Sequence, residues 1–178
     1  MAPWGKRLST LFLLRHAKAV AQHADGDRAR GLSDAGRDSA RTMAAAAAER
    51  HFAPSLVLCS DAIRTRETLD IVLPALKPAP DIVYEEALYL ADAKQLLQRL
   101  RRIPDDVRSV MLVGHNPGLQ ELAVALSDQP TGPLMARLTV DFPTAALVRF
   151  EINLPWSALE RGSARMMSIL APAAPAKR

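Results

Sequence analysis

The chain has 178 residues, 49% of them hydrophobic and 24% charged, enough to bury a core and the balance of an ordinary globular protein. A net charge of +4 with only 4% aromatics, and no basic patch interleaved with aromatics, argues against a nucleic-acid binder and fits an anionic substrate at least as well. The lone cysteine, Cys59, excludes an intrachain disulfide and points to a reducing, cytoplasmic setting, while no apolar stretch reaches membrane-span length and the run after Lys6 and Arg7 is too short for a signal-peptide core.

Strand and helix patterns alternate along the chain. Leu11-Phe12-Leu13-Leu14 is a short apolar run that reads as a buried strand and stops at Arg15-His16-Ala17. A polar loop follows over 19–31, and Ser33 is placed to cap a helix whose buried positions are Ala40, Met43, Ala44, Ala47 and Ala48, ending before Pro54. A second strand is expected over 55–59, with Ser60-Asp61 capping a helix that reaches Leu73 and stops at Pro74. Residues 82–84 make a short strand, and Leu96, Leu97, Leu100 and Ile103 mark a helix starting near Asp92. Val107 to Val113 reads as a strand, with Asn116 as the cap and Pro117 as the first residue of the next helix. Segment 128–143 holds prolines and a glycine and no clear period. Two final strands are expected over 145–152 and 165–170, and the Pro/Ala-rich residues 171–178 read as a flexible tail. The pattern predicts a single domain over 1–178, ordered over about 8–170. Its fold class is α/β, a three-layer α/β/α sandwich with a mostly parallel central sheet.

Three strand-to-helix junctions carry polar residues: Arg15-His16, Ser60 to Arg64, and Gly114-His115-Asn116. If the strands are parallel, all three lie on one sheet edge, where helix N-termini add N–H donors and positive dipole ends suited to an anion. Taken singly, each residue has an ordinary reading. Arg15 is a surface ion-pair partner, Arg64 faces solvent like Arg66, and His16 and His115 are hydrogen-bonded structural residues. Together, two arginines and two imidazoles make a phosphate pocket. A two-histidine metal site lacks a third ligand, and neighbouring arginines disfavour it, so no metal or other cofactor is expected. Cys59 and Arg64 miss the C-x5-R spacing of a cysteine phosphatase by one position, and no G-x-S-x-G or Walker loop occurs.

These residues also carry a resemblance. Leu14-Arg15-His16-Ala17 resembles the R-H-G/A signature of the histidine phosphatase superfamily, also called phosphoglycerate mutase-like. Leu32-Ser33-Asp34-Ala35-Gly36-Arg37 is similar to its L-[ST]-x-x-G segment, and Ser60 to Thr68 to its S-x-x-x-R-x-x-x-T helix start. Val113-Gly114-His115-Asn116-Pro117-Gly118 resembles the second-histidine motif of the small SixA-type phosphohistidine phosphatase branch. The four motifs stand in family order over residues 8–126.

The resemblance implies a phosphoglycerate mutase-like fold and a phosphatase with His16 as nucleophile. Arg15, Arg64 and His115 would bind the phosphoryl oxygens, and Lys18 and Asn116 would touch substrate. Glu86, at E-x-x-Y spacing before Tyr89, is the candidate acid, with Glu85 competing and two solvated loop carboxylates as the ordinary alternative. One short helix between Tyr84 and Val107 replaces the larger substrate-covering structure of bigger relatives, which implies an open site. The implied substrate is phosphohistidine on a protein partner. The alternatives are a small phosphorylated metabolite, acted on by a phosphomonoesterase or mutase, and a non-catalytic phosphoprotein-binding module. Neither nucleic acid nor membrane is an expected partner.

Overall fold

The computed structural model describes residues 8–172. The expected tail over 171–178 therefore lies almost wholly outside the described residues. Strands β1 (Ser9–Arg15), β2 (Leu56–Ser60), β3 (Asp81–Glu85), β4 (Ser109–Gly114), β5 (Leu147–Ile152) and β6 (Ala164–Leu170) form one sheet in the order β3-β2-β4-β1-β5-β6. The first four are mutually parallel, while β5 runs antiparallel to β1 and β6 antiparallel to β5. The helices are α1 (Asp34–Glu49), α2 (Ile63–Val72), α3 (Ala93–Leu100), α4 (Gly118–Leu126) and α5 (Pro133–Val140). None of them is long and apolar enough to cross a membrane.

The continuous apolar runs of β1, β2 and β4 follow from burial on both faces. With a side-chain period of two, Leu11, Leu13, Leu58, Val110 and Leu112 pack against α3, α4 and α5 through Leu96, Leu100, Leu119, Leu122 and Leu138. Phe12, Leu14, Val57, Cys59, Met111 and Val113 point the other way, into Met43 and Ala47 of α1 and Leu69 and Val72 of α2. The chain moves outward from β1 to β2 to β3, then turns back to β4, and right-handed crossovers require the helices to change face at that reversal. As a result α1 leaves β1 on one face and α4 leaves β4 on the other. The crevice between these adjacent strands opens at their carboxyl ends.

Ser33 caps α1 as its position predicts, with its Oγ accepting from Gly36 N at 3.1 Å. Asp92 and Gln95 form a reciprocal capping box on α3. Two other expected caps are corrected. α2 starts at Ile63 with Ala62 as its cap, because β2 extends through Ser60 and the side chains of Ser60 and Asp61 are engaged elsewhere. α4 starts at Gly118 rather than Pro117, and the Asn116 side chain donates to Phe142 O and Gln120 Oε1 instead of capping. Segment 128–143, for which no element was expected, contains α5 and the fully buried Phe142.

Two glycines are required by close approach. A Cβ on Gly36 would lie 2.0 Å from Lys18 O, and one on Gly118 would lie 1.9 Å from Ala91 O. Gly36 thereby lets the first turn of α1 rest on the chain just beyond His16.

Candidate active site

The register of the parallel strands brings the three polar junctions level. Arg15 pairs with Gly114, and Cys59, one residue before Ser60, pairs with Val113. The β1–β4 ladder continues one step further, His16 N donating to Gly114 O at 3.1 Å, so His115 emerges beside His16. Their ring centroids are 5.2 Å apart. Arg64, in the first turn of α2, reaches the same place with only 2% of its side chain exposed. Arg15, His16, Arg64 and His115 therefore converge at the crevice.

The hydrogen bonds assign the His16 tautomer. Nδ1 lies 2.7 Å from Ala17 O, a carbonyl that can only accept, so Nδ1 carries the proton. Nε2 is left with a lone pair, and Arg64 Nε donates to it at 3.3 Å. Burial, reinforced by the charges of Arg64, Arg15 and Arg30, pushes His16 from 6.5 down to about 4, against the pull of the Ala17 carbonyl. Burial, then the neighbouring His16, Arg64 and Arg15, pushes His115 down to about 3. Both imidazoles are neutral at neutral pH. His115 Nε2 sits 2.8 Å from Ser60 Oγ, and its buried Nδ1 has no protein partner among the described residues. Thr68 ties the pieces together: its hydroxyl accepts from Ala17 N at 2.9 Å and donates to Arg64 O at 2.6 Å.

Arg15 is only part-buried, and burial lowers its pKa against the opposing charge of Asp141. Its NH1 donates to Phe142 O at 2.7 Å, the same carbonyl that accepts from Asn116 at 3.2 Å, while its buried Nε has no protein partner. Segment 128–143 thus flanks the crevice through one carbonyl. Lys18 is exposed, and what anchors it is its backbone, whose carbonyl accepts from Ser33 N at 2.9 Å. Glu85 is held by Arg99 through bonds of 2.6–2.9 Å. Glu86 is 79% exposed and pairs with Arg28 at 3.0 Å, at the outer rim. Neither glutamate hydrogen-bonds to either histidine.

Cys59, fully buried with its thiol pushed up to about 12 by burial, is a poor nucleophile.

Sequence reasoning missed the contribution of the 19–31 loop. Asp27, in a turn of 3-10 helix over Asp27–Ala29, accepts from Arg64 through its backbone carbonyl at 2.7 Å and its Oδ2 at 2.9 Å. The same oxygen accepts from the Tyr89 hydroxyl, and Oδ1 accepts from Arg30 Nε at 2.8 Å. Tyr89 in turn packs edge-on against His115, 5.4 Å between centroids, and the Arg28 guanidinium covers its ring at 4.7 Å. A polar loop has no periodicity to read. The only signal available was an acidic residue near two arginines just after a phosphate-type strand end.

Comparison with known proteins gives a consistent set of similarities. The family model for the histidine phosphatase superfamily (branch 1) matches residues 11–89. A solved Agrobacterium tumefaciens structure, a candidate phosphohistidine phosphatase SixA, is 34% identical with a TM-score of 0.78, covering 92% of this chain and 98% of that one. A second candidate of the same name, from Nakamurella multipartitia, superposes with a TM-score of 0.81 at 25% identity, covering 97% of this chain and 100% of that one. An uncharacterised Mycobacterium leprae protein is 33% identical over 117 residues, 65% of this chain and 70% of that one.

Proposed function

The chain belongs to the histidine phosphatase superfamily, in its SixA-type branch, and is a phosphatase; from that premise we propose that it hydrolyses phosphohistidine on a protein partner through a covalent phosphoenzyme on His16. The observation that carries this reading is the state of His16. Its Nδ1 proton is held by Ala17 O and its Nε2 lone pair faces the Arg64 guanidinium, so the imidazole is a neutral, oriented nucleophile.

In the first step the Arg64 Nε–H hydrogen bond passes from Nε2 to a phosphoryl oxygen, the freed Nε2 lone pair attacks phosphorus, and the P–N bond of the substrate breaks. The departing imidazole keeps the electron pair and takes up a proton. In the second step water attacks the His16 phosphoramidate, releasing inorganic phosphate and restoring the Nε2 lone pair. Phosphoryl transfer asks for positioning and charge stabilisation. Arg64 and Arg15 provide fixed positive charge beside His16, and the planar guanidinium fork matches two phosphoryl oxygens. His115 lies next to His16 as a neutral hydrogen-bonding group, with Asn116 and Lys18 as further substrate contacts.

The substrate class is supported by the acids available. Asp27 is held at about 2 by the Tyr89 and Arg64 hydrogen bonds, so it is ionised, and Glu86 stands out at the rim on Arg28. An alkoxide leaving group needs a proton donor in the transition state, whereas an imidazole needs less help. In this reading Glu86 assists only the poorer leaving groups. A small phosphorylated metabolite is the second substrate class, and the single short helix α3 between β3 and β4, in place of a larger substrate-covering insertion, favours the protein substrate.

The test is a panel of phosphohistidine protein, phosphoramidate, aryl phosphate and sugar phosphates with EDTA present. Metal-independent turnover of the first two, with an acid-labile phosphoenzyme that is lost in His16→Ala, is the expected result. Unchanged turnover in His16→Ala would overturn the mechanism.

A further inference from the structure

We propose that Asp27 is a positioning residue: it clamps the buried Arg64 guanidinium beside His16 Nε2, and it fixes the Tyr89 phenol beside His115. The inference rests on the reading of His16 as the attacking group.

Arg64 is almost wholly buried, and Asp27 is the carboxylate paired with it among the described residues. Asp27 grips it twice, through the backbone carbonyl on NH1 and the carboxylate on NH2, which leaves Nε on the side of His16. A two-point grip fixes the plane of a guanidinium as a single bond does not. The carboxylate is itself held from the other side by Arg30, whose Nε and NH2 lie 2.8 Å and 2.7 Å from Oδ1. Tyr89 completes the set, donating to Oδ2 while its ring edges against His115. One side chain on an otherwise exposed loop thereby joins α2, the turn after β3 and the junction after β1.

The neighbouring carboxylates are occupied differently. Asp61 and Glu86 both pair with Arg28, at 3.1 Å and 3.0 Å, and Glu67 serves Leu32 N and Arg37. None of them would replace Asp27 on Arg64. A general-acid role for Asp27 is disfavoured, since its hydrogen bonds hold it ionised. Its contribution is geometric, and it acts through Arg64.

The test compares wild type with Asp27→Asn and Asp27→Ala by phosphoramidate kinetics and by heteronuclear NMR of the His16 imidazole nitrogens. Asp27 is 47% exposed and sits in a surface turn, so both variants should fold, which thermal melting checks. In Asp27→Ala, kcat is expected to fall about 10- to 100-fold with KM nearly unchanged, the cost of a misplaced group rather than a lost binding contact. The His16 Nε2 resonance should also shift, because the Arg64 donor is no longer held on it, while Ala17 O keeps the proton on Nδ1. Asp27→Asn, which keeps one acceptor oxygen, should fall between the two.

An unchanged kcat with an unchanged Nε2 resonance would overturn the proposal. So would tighter binding of inorganic phosphate with kcat preserved or raised, which would make Asp27 an obstruction in the site. If wild type turns over no phosphoramidate but the Nε2 resonance still responds to Asp27→Ala, the clamp stands and the phosphatase mechanism on His16 fails.

Discussion

The parallel and antiparallel halves of the sheet contribute different things to the same edge. In the parallel half, β1, β2 and β4 all end there, and each is followed by a polar junction: Arg15-His16, Ser60 through Arg64, and His115-Asn116. In the antiparallel half, β5 begins there, Leu147 pairing with Leu14, and what it brings is backbone. Ala145 N donates to His16 O at 3.1 Å, Ala146 O accepts from Arg15 N at 3.0 Å, and Phe142 O accepts from Arg15 and Asn116. Strand direction decides which role a segment plays. Parallel strands gather their exits, and hence the starts of their helices, at one edge, whereas a strand running the other way meets that edge with its entry.

If this division holds, substitutions in the two halves should separate activity from stability. The largest effect on activity is expected for Arg64→Lys, which keeps the charge but loses the fork and the bond to His16 Nε2. Turnover should fall about 10²–10³-fold, measured with phosphoramidate. Activity within a few-fold of wild type would break the comparison on the parallel side. Phe150→Ala removes a fully buried ring of β5 and should cost about 3–5 kcal/mol in denaturant unfolding. The folded fraction should retain its kcat; a large loss there would mean that the antiparallel half does more than scaffold.

The pH dependence sharpens the same contrast, since the depressed histidines belong to the parallel edge. Activity should hold from neutral pH downward and fall as pH drops through about 4, where the His16 lone pair is lost to a proton. Stability should respond earlier. His16 and His115 titrate near 4 and 3 when folded but near 6.5 in an unfolded chain, so the unfolded state binds protons first as pH falls. The fold should therefore lose stability from about 6.5 downward, and this loss should stop growing once the folded histidines are also protonated. A denaturation midpoint that does not change between neutral pH and 5 would contradict the burial of the two rings.

The smallest effect is expected for Glu86→Gln. Paired with Arg28 and largely exposed, Glu86 should matter less than the roughly 10²-fold or more that a positioned acid supplies. Phosphomonoester hydrolysis should slow more than phosphoramidate hydrolysis, and equal slowing of both would remove any role in leaving-group departure.

Much of the molecule was legible in the amino-acid sequence because it depends on local chemistry. Apolar runs of four or five residues, broken by Arg15 and by His115, mark strands buried on both faces. Ser33 is a cap whose side chain needs only the next turn. The order of the motifs carries the family, and Arg15, His16, Arg64 and His115 stand within those motifs. Where prediction failed, a distant partner had outbid a local one. Ser60 and Asn116 are good caps in isolation, yet their polar atoms are taken by His115 and Phe142 O, residues 55 and 26 positions away. Glu85 and Glu86 are neighbours in sequence, where the spacing to Tyr89 favours Glu86 as the acid, and only packing gives one to Arg99 and the other to Arg28.

Tertiary structure alone decided the tautomer of His16 and the part played by the 19–31 loop. A hydrogen bond such as Asp27 to Arg64 spans 37 residues and leaves no period in the chain. The sequence determined which groups could meet at the sheet edge. Their orientation came from the folded backbone, because a neutral, aimed imidazole requires burial and fixed neighbours that no isolated segment possesses.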